Sequence, residues 1–354
     1  MYTIVKLTLK KYIVTVFFTT LFTCFFYNNI YADENGSSTN FGGFSIEGVK
    51  NVHQIDDSSG YFYLKENPNS TDKINIKLSN SSSKEKTLEI KVVNANTNSN
   101  GIIDYTGTIS DNKILRNPLT NILSTGKKEI VVAPNSTIET TLNIKMPTNK
   151  FSGVIVGGIV VTEKKSHNKS QGTIGNDYSY TIGVVLTNED KINLYSNLSV
   201  ELQSVNAELS TGKKVVQANI LNPNPYIFSK AEVKGAVYNE DGKTKLKENS
   251  LNNVSIAPYS ALPFQLDWQK DDLKPGTYIF KGSVKTEENT WDFEKKFEIK
   301  NTEAKKINEE SVFKVVLPTW FIYSGYLVIL INIIGSFYII IRKVKKHKLS
   351  MGGK

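Results

Sequence analysis

From residue 44 to residue 299 the chain carries short runs in which apolar and polar side chains alternate. Ile74–Leu78 reads INIKL, Leu88–Val92 reads LEIKV and Ile138–Met146 reads IETTLNIKM. Val154–Val161 (VIVGGIVV) and Tyr178–Leu186 (YSYTIGVVL) are β-branched, and the same texture returns in Val215–Leu221, Ala231–Tyr238, Leu262–Leu266, Thr277–Val284 and Trp291–Ile299. Polar turns rich in Asn, Ser and Lys separate the runs. A two-residue period places successive side chains on opposite faces of a strand, so this pattern predicts an all-β chain of sandwiches.

The stretch Glu163–Asp177 (EKKSHNKSQGTIGND) is the polar break that suggests a domain boundary, with Thr187–Lys191 as an alternative. The organisation expected is a flexible lead over 33–43, a β-sandwich over 44–165 and a second over 173–311. A faint internal echo supports two related units. Ala133-Pro134-Asn135-Ser136 precedes a strand in the first half and Ala257-Pro258-Tyr259-Ser260 precedes one in the second. Thr302–Glu310 (TEAKKINEE) reads as a polar stalk, briefly helical.

Two apolar segments frame this β region. Tyr12–Tyr27 follows Lys10 and Lys11 and ends before Asn28-Asn29, with the small residue Ala32 ahead of Asp33-Glu34. Residues 1–32 therefore read as a secretory signal peptide, with an uncleaved anchor as the rival. Val315–Ile341 lacks any charge and, as a helix, would be ~40 Å long, more than a bilayer core requires. It is expected to be a single C-terminal transmembrane helix, with the basic tail 342–354 in the cytoplasm and 33–314 outside.

The charge fits that disposition. The 354 residues hold 43 Lys+Arg and 34 Asp+Glu, a formal charge of +9. Lys6, Lys10 and Lys11 lie in the leader, and Arg342, Lys343, Lys345, Lys346, Lys348 and Lys354 lie in the tail. Removing these nine leaves 34 basic and 34 acidic residues in 33–341. The body is neutral, which argues against nucleic acid as a partner. The one cysteine, Cys24, sits in the leader. A mature β protein without cysteine fits an exported Gram-positive protein better than a disulfide-bearing eukaryotic one.

Catalytic and metal signals are sparse. The histidines are His53, His167 and His347, and no HExxH, GxSxG or GxxxxGK[ST] pattern occurs. A Ser-His-Asp triad would have to use His53 or His167, both in loop-like sequence. Asn96-Thr97-Asn98-Ser99-Asn100-Gly101 copies the start of a calcium loop, but its twelfth position is Gly107 and a positive-φ turn explains it better. No catalytic residue, metal or cofactor is expected. Trp291, Phe293, Phe297 and Ile299 alternate along one strand face as core residues. Tyr61 and Tyr63 flank Phe62, which gives one buried and one exposed face; exposed tyrosines there suit sugar stacking, with plain solvation of a strand edge as the alternative. Gly153, Gly157 and Gly158 leave bare backbone, as at a bulge or a close approach by another chain.

Several segments together resemble the WxL-interacting protein family of Gram-positive cell surfaces. They are GYFYLKENP (Gly60–Pro68), NANTNSNGIIDY (Asn94–Tyr105), MPTNKFSGVIVGGIVV (Met146–Val161), LNPNPYIF (Leu221–Phe228), SIAPYSALPFQLDW (Ser255–Trp268), LKPGTYIFKG (Leu273–Gly282) and WDFEKKFEIK (Trp291–Lys300). The resemblance implies two immunoglobulin-like β-sandwiches, the first binding peptidoglycan and the second a host ligand, in a non-enzymatic protein that associates with WxL-domain surface proteins. The chain itself lacks W-x-L, since its tryptophans read WQK, WDF and WFI. The binding candidates are Tyr61, Tyr63, Tyr105, Phe151, Gly153, Gly157 and Gly158. A strand-pairing scaffold is the alternative function, and a wall-modifying enzyme the third.

Overall fold

The computed structural model describes residues 42–164, 178–190, 192–313 and 319–351. The signal-peptide reading of 1–32 and most of the lead lie outside them. In chain order the first group of strands is β1 (Phe44–Gly48), β2 (Phe62–Lys65), β3 (Thr71–Asn80), β4 (Lys86–Asn94), β5 (Asn96–Thr97), β6 (Ile103–Asp104), β7 (Leu123–Thr125), β8 (Glu129–Val132), β9 (Ser136–Lys145), β10 (Ile155–Glu163) and β11 (Ser179–Thr187). A sheet ordered β1-β3-β9-β7 faces another ordered β2-β11-β10-β4-β8, with β2 parallel to β11 and the other ladders antiparallel. Strand β11 lies beyond Glu163–Asp177, so the first sandwich draws on the chain as far as Thr187.

The second group is β12 (Glu201–Ser210), β13 (Lys213–Leu221), β14 (Phe228–Tyr238), β15 (Lys245–Ile256), β16 (Ala261–Asp267), β17 (Gly276–Lys285) and β18 (Thr290–Ile299). These form sheets ordered β12-β13-β16 and β15-β14-β17-β18. Helix α1 (Asn301–Glu310) follows. It is no free stalk: Ala304 and Ile307 are buried in the second core, Asn308 exchanges hydrogen bonds with both backbone groups of Leu273, and Ser311 donates to the Gly212 carbonyl.

Alternation explains the strands. Along β3 Ile74, Ile76 and Leu78 point inward and are at most 1 % exposed, while Lys73, Asn75 and Lys77 face out. Leu64, Leu88, Ile90, Leu142, Ile159, Val161 and Val184 complete the first core. The second is built on Val216, Phe228, Phe264, Phe280 and Ile299. Trp291 and Phe293 pack against it, and Phe297 is buried in it.

Strand β10 lacks alternation, and its seven residues Ile155–Val161 are all buried. One face packs on the first core. On the other, Val156 joins Val154, Tyr63, Ala95, Val185, Ile227 and Ala257 in a third apolar cluster drawn from both sandwiches. Gly42–Lys354 is one compact unit. Strand β10 is buried twice because the second sandwich covers its outer face.

The C-terminal part of the fold expectation is corrected. Among the described residues no helix is long and apolar enough to cross a membrane. Helix α2 covers Thr319–Met351. Within it Asn332 and Ser336 turn their side chains back to the carbonyls of Val328 and Asn332. The all-β reading of the body stands, and the expected C-terminal span is not borne out among the described residues.

Candidate binding sites and a buried carboxylate cluster

Residues 49–60 form a strap laid over β2 by a dense set of short-range bonds. Val49 N–H donates to the Asn75 carbonyl, Ile55 N–H to Tyr63 and Lys65 N–H to His53. Gln54 is the central fastener: its amide N–H donates to the carbonyls of Asp56 and Tyr61, and its amide oxygen accepts from Tyr63 N–H. At the tip, Asp56 accepts from Ser58 and Ser59, which holds its carboxyl below the usual range. Short polar side chains that bond their own backbone neighbours favour such turns.

The strap walls a cleft of about 440 Å³ against β1 and β11. Its lining includes Tyr61 and Tyr180, the amide of Gln54, the ion pair of Lys50 with Asp57 at 2.5 Å, and Glu47. Tyr180 is held edge-on against Phe44, with ring centroids 5.0 Å apart. Two aromatic rings beside an amide, a hydroxyl from Ser59 and charged groups make an amphipathic cleft of the kind that takes a polar ligand with apolar faces.

Of the seven sequence candidates, Tyr61 lines this cleft. Tyr63 stacks on it at 6.4 Å but is buried, 7 % exposed, in the cluster between the sandwiches. Burial, with Tyr61 adding, pushes its phenol up. Tyr105 packs on the same cluster, and burial pushes its phenol up to about 12. Phe151 lies apart, packed on the first core, with its N–H donating to Asn188.

The close approaches at the glycines are made by this chain's own residues. Gly153 has φ +85°, and a Cβ there would overlap the Pro225 carbonyl. A Cβ at Gly157 would overlap the Val93 carbonyl and the Leu119 side chain, and one at Gly158 would press on Thr181 and Tyr105.

The asparagine-rich segment is an interdomain plug. Gly101 O accepts from Ser255 N–H at 2.8 Å, and the buried Thr97 Oγ1 accepts from Ala257 N–H at 3.0 Å and pairs with Ser260 Oγ at 3.1 Å. Asn98 Oδ1 accepts from Asn100 and Ile102 N–H, closing the β5–β6 turn on the positive φ of Gly101.

The second sandwich presents its own hollow, about 660 Å³, on the outer face of β15-β14-β17-β18. Lys234, Tyr238, Glu248, Lys281 and Asp292 line it, with Lys281 Nζ 5.6 Å from the Tyr238 ring centre.

Sequence reading weighed His53 only as a triad histidine and missed its partners Glu66 and Asp72. Glu66 follows β2, Asp72 opens β3 and His53 lies in the strap, so only the fold joins them. His53 Nδ1 lies 2.9 Å from Glu66 Oε1 and 3.3 Å from Asp72 Oδ2. The Glu66 side chain is 1 % exposed, Asp72 21 % and His53 47 %. Ser70 Oγ donates to Glu66 Oε2, and Asn51 Nδ2 donates to Asp72 Oδ2. The hydrogen bond to Glu66 raises His53 against the opposing effect of burial. Burial drives Glu66 up. Burial pushes Asp72 up, but hydrogen bonds with the Lys73 N–H, the Asn51 amide and Glu66, with the charge of His53, together bring it down.

Two family models match the chain. The WxL Interacting Protein peptidoglycan binding domain covers residues 44–163, and the WxL Interacting Protein host binding domain covers 169–309. The chain belongs to the WxL-interacting protein family. It thus carries one domain of each class, which marks a surface binding protein. No curated protein matches it.

Among solved structures it is similar to the E. coli chaperone DraB, at 11 % identity over 73 % of this chain and 98 % of that one, TM-score 0.28. The CupB2 chaperone of Pseudomonas aeruginosa aligns at 13 % identity over 63 % of this chain and 91 % of that one, TM-score 0.26. A PapD-like domain of human CEP192 aligns at 7 % identity over 42 % and 87 %, TM-score 0.26. At these scores the likenesses carry no functional argument.

Proposed function

We propose that this WxL-interacting protein is a non-enzymatic adhesion module of the cell surface that grips peptidoglycan in the cleft between the 49–60 strap and β11. The observation that carries the reading is the pairing of Tyr61 and Tyr180 with Gln54, Asp57 and Lys50, inside the domain that matches the peptidoglycan-binding model. Sugar rings present C–H faces that stack on tyrosine and hydroxyl and acetamido groups that hydrogen-bond to amides and carboxylates. The sheet-face hollow around Tyr238, Lys281 and Asp292 is the proposed contact for a proteinaceous host ligand, its mixed charges suiting a neutral protein surface. A WxL-domain protein on the same cell surface is the further partner that the family supports.

The test is co-sedimentation of the full-length chain with purified sacculi. Wild-type protein should pellet saturably, and Asp57→Asn combined with Lys50→Ala should weaken pelleting by ~tenfold, the loss of one or two good polar contacts. Lys281→Ala in the second sandwich should leave it unchanged. A wild-type chain that stays in the supernatant, or cleft variants that pellet like wild type, would reject the reading.

A further inference from the structure

We infer that His53, Glu66 and Asp72 form a binding site for a divalent transition-metal ion of the zinc class, which clips the strap 49–60 to the ends of β2 and β3. Three donor atoms from three chain segments, His53 Nδ1, Glu66 Oε1 and Asp72 Oδ2, lie within 4.8 Å of one another. Two of their separations are 2.9 and 3.3 Å. A tetrahedral ion bound at 2.0–2.2 Å to nitrogen and oxygen has ligand-to-ligand edges of ~3.3 Å, so these atoms already stand at about the required spacing.

The charge also fits. Two carboxylates converge, and Glu66 is almost wholly withdrawn from water. Burying a carboxylate beside another costs free energy unless a cation compensates both. With imidazole neutral, a divalent ion balances the pair, whereas a protonated His53 supplies one charge. Imidazole nitrogen with two carboxylate oxygens selects zinc-like ions over calcium or magnesium, which prefer all-oxygen shells. The half-exposed His53 leaves the solvent side open for a fourth ligand.

The outer partners are those a built site shows. Ser70 Oγ donates to the second oxygen of Glu66 at 3.2 Å, and Asn51 Nδ2 donates to Asp72 at 2.9 Å and to the Lys73 carbonyl at 3.0 Å. The Ser70 bond leaves Glu66 Oε1 to face the ion, while Asn51 bonds Asp72 Oδ2, the donor oxygen itself, and so holds that carboxylate in place. Asn51 Oδ1 also accepts from His53 N–H at 2.7 Å, so the residue that orients Asp72 also orients the histidine backbone.

The experiment titrates the chelator-stripped full-length chain with zinc chloride alone, and separately with calcium chloride, by calorimetry. Hydrogen exchange of the strap amides is followed in parallel. Expected are saturable binding of one zinc that His53→Ala removes, no comparable calcium binding, and slower exchange across 49–60 on zinc addition. Ser70→Ala, which keeps all three ligands, should weaken zinc by ~tenfold or more. Glu66→Gln tests the buried ligand, and His53→Ala, altering a half-exposed side chain, keeps the result interpretable if Glu66→Gln fails to fold. Absence of saturable zinc binding in the wild type, or binding that His53→Ala leaves intact, would overturn the site.

Discussion

Asn80 and Asn222 hold the same place in the two sandwiches and make the same bonds. Asn80 Nδ2 donates to the carbonyls of Lys84, Val132 and Ala133, and its Oδ1 accepts from Ser82 N–H. Asn222 Nδ2 donates to Tyr226, Ile256 and Ala257, and its Oδ1 accepts from Asn224 N–H. Each amide ties the end of one strand to the turn that begins with Ala133 or Ala257. In those turns Asn135 and Tyr259 both adopt positive φ, +48° and +55°, and donate N–H to the Ser82 and Asn224 carbonyls.

Replacing either asparagine by alanine should therefore destabilise its own sandwich by about 2–4 kcal/mol, since buried carbonyls lose their donor. Asp at either position should not rescue, because a carboxylate cannot donate. Denaturant unfolding followed by hydrogen exchange would assign the loss to one sandwich or the other.

Gly153 should tolerate no side chain. Alanine there would pay for a left-handed backbone and would also displace the Pro225 carbonyl, which accepts from Val154 N–H at 2.8 Å. The expected cost exceeds about 2 kcal/mol, with faster amide exchange at Val154. Gly126→Ala, where a Cβ meets nothing within 4 Å, is the control and should be nearly neutral.

Thr97→Val keeps the shape and removes the hydroxyl. Ala257 N–H would then be left without its acceptor inside the interdomain contact, at a cost of about 1–3 kcal/mol. The effect should appear as lost coupling between the unfolding of the two sandwiches in calorimetry, whereas a single sharp transition at unchanged temperature would contradict this role for Thr97.

Glu208 is half-buried, and burial raises its pKa. A carboxyl with a folded pKa above its unfolded value penalises folding where it is ionised in both states, and the penalty fades as pH falls through the folded pKa to the unfolded value. Glu208→Gln should thus raise the melting temperature at pH 7 and lose that advantage near pH 4. The gain should stay below about 1 kcal/mol, because the side chain keeps part of its hydration. A benefit equal at both pH values would mean that the charge is not its origin.

Much of the fold was legible in the chain. The period-2 runs became strands because alternation is a local property: Ile74, Ile76 and Leu78 must share a face whatever lies elsewhere. The echo of Ala133–Ser136 in Ala257–Ser260 is a repeat in conformation as well as in letters. Aromatic content around Tyr61 was legible too, though not its division. Tyr61 faces a cleft, while Tyr63, two residues on, is sealed behind it by Ile227 and Ala257 of the other sandwich.

By itself, then, the sequence determined the strands, the two sandwiches, the turn chemistry and a neutral exterior between basic ends, since each follows from neighbours along the chain. Tertiary structure alone decided which faces are covered. It turned the unbroken apolar run of β10 into a strand buried on both sides, the calcium-like asparagine loop into an interdomain plug, and the bare glycines into seats for Pro225 and Leu119. It also brought His53 onto Glu66 and Asp72. Those outcomes depend on contacts between segments distant in sequence, and pairings across loops are set by packing and burial rather than by any spacing the chain displays.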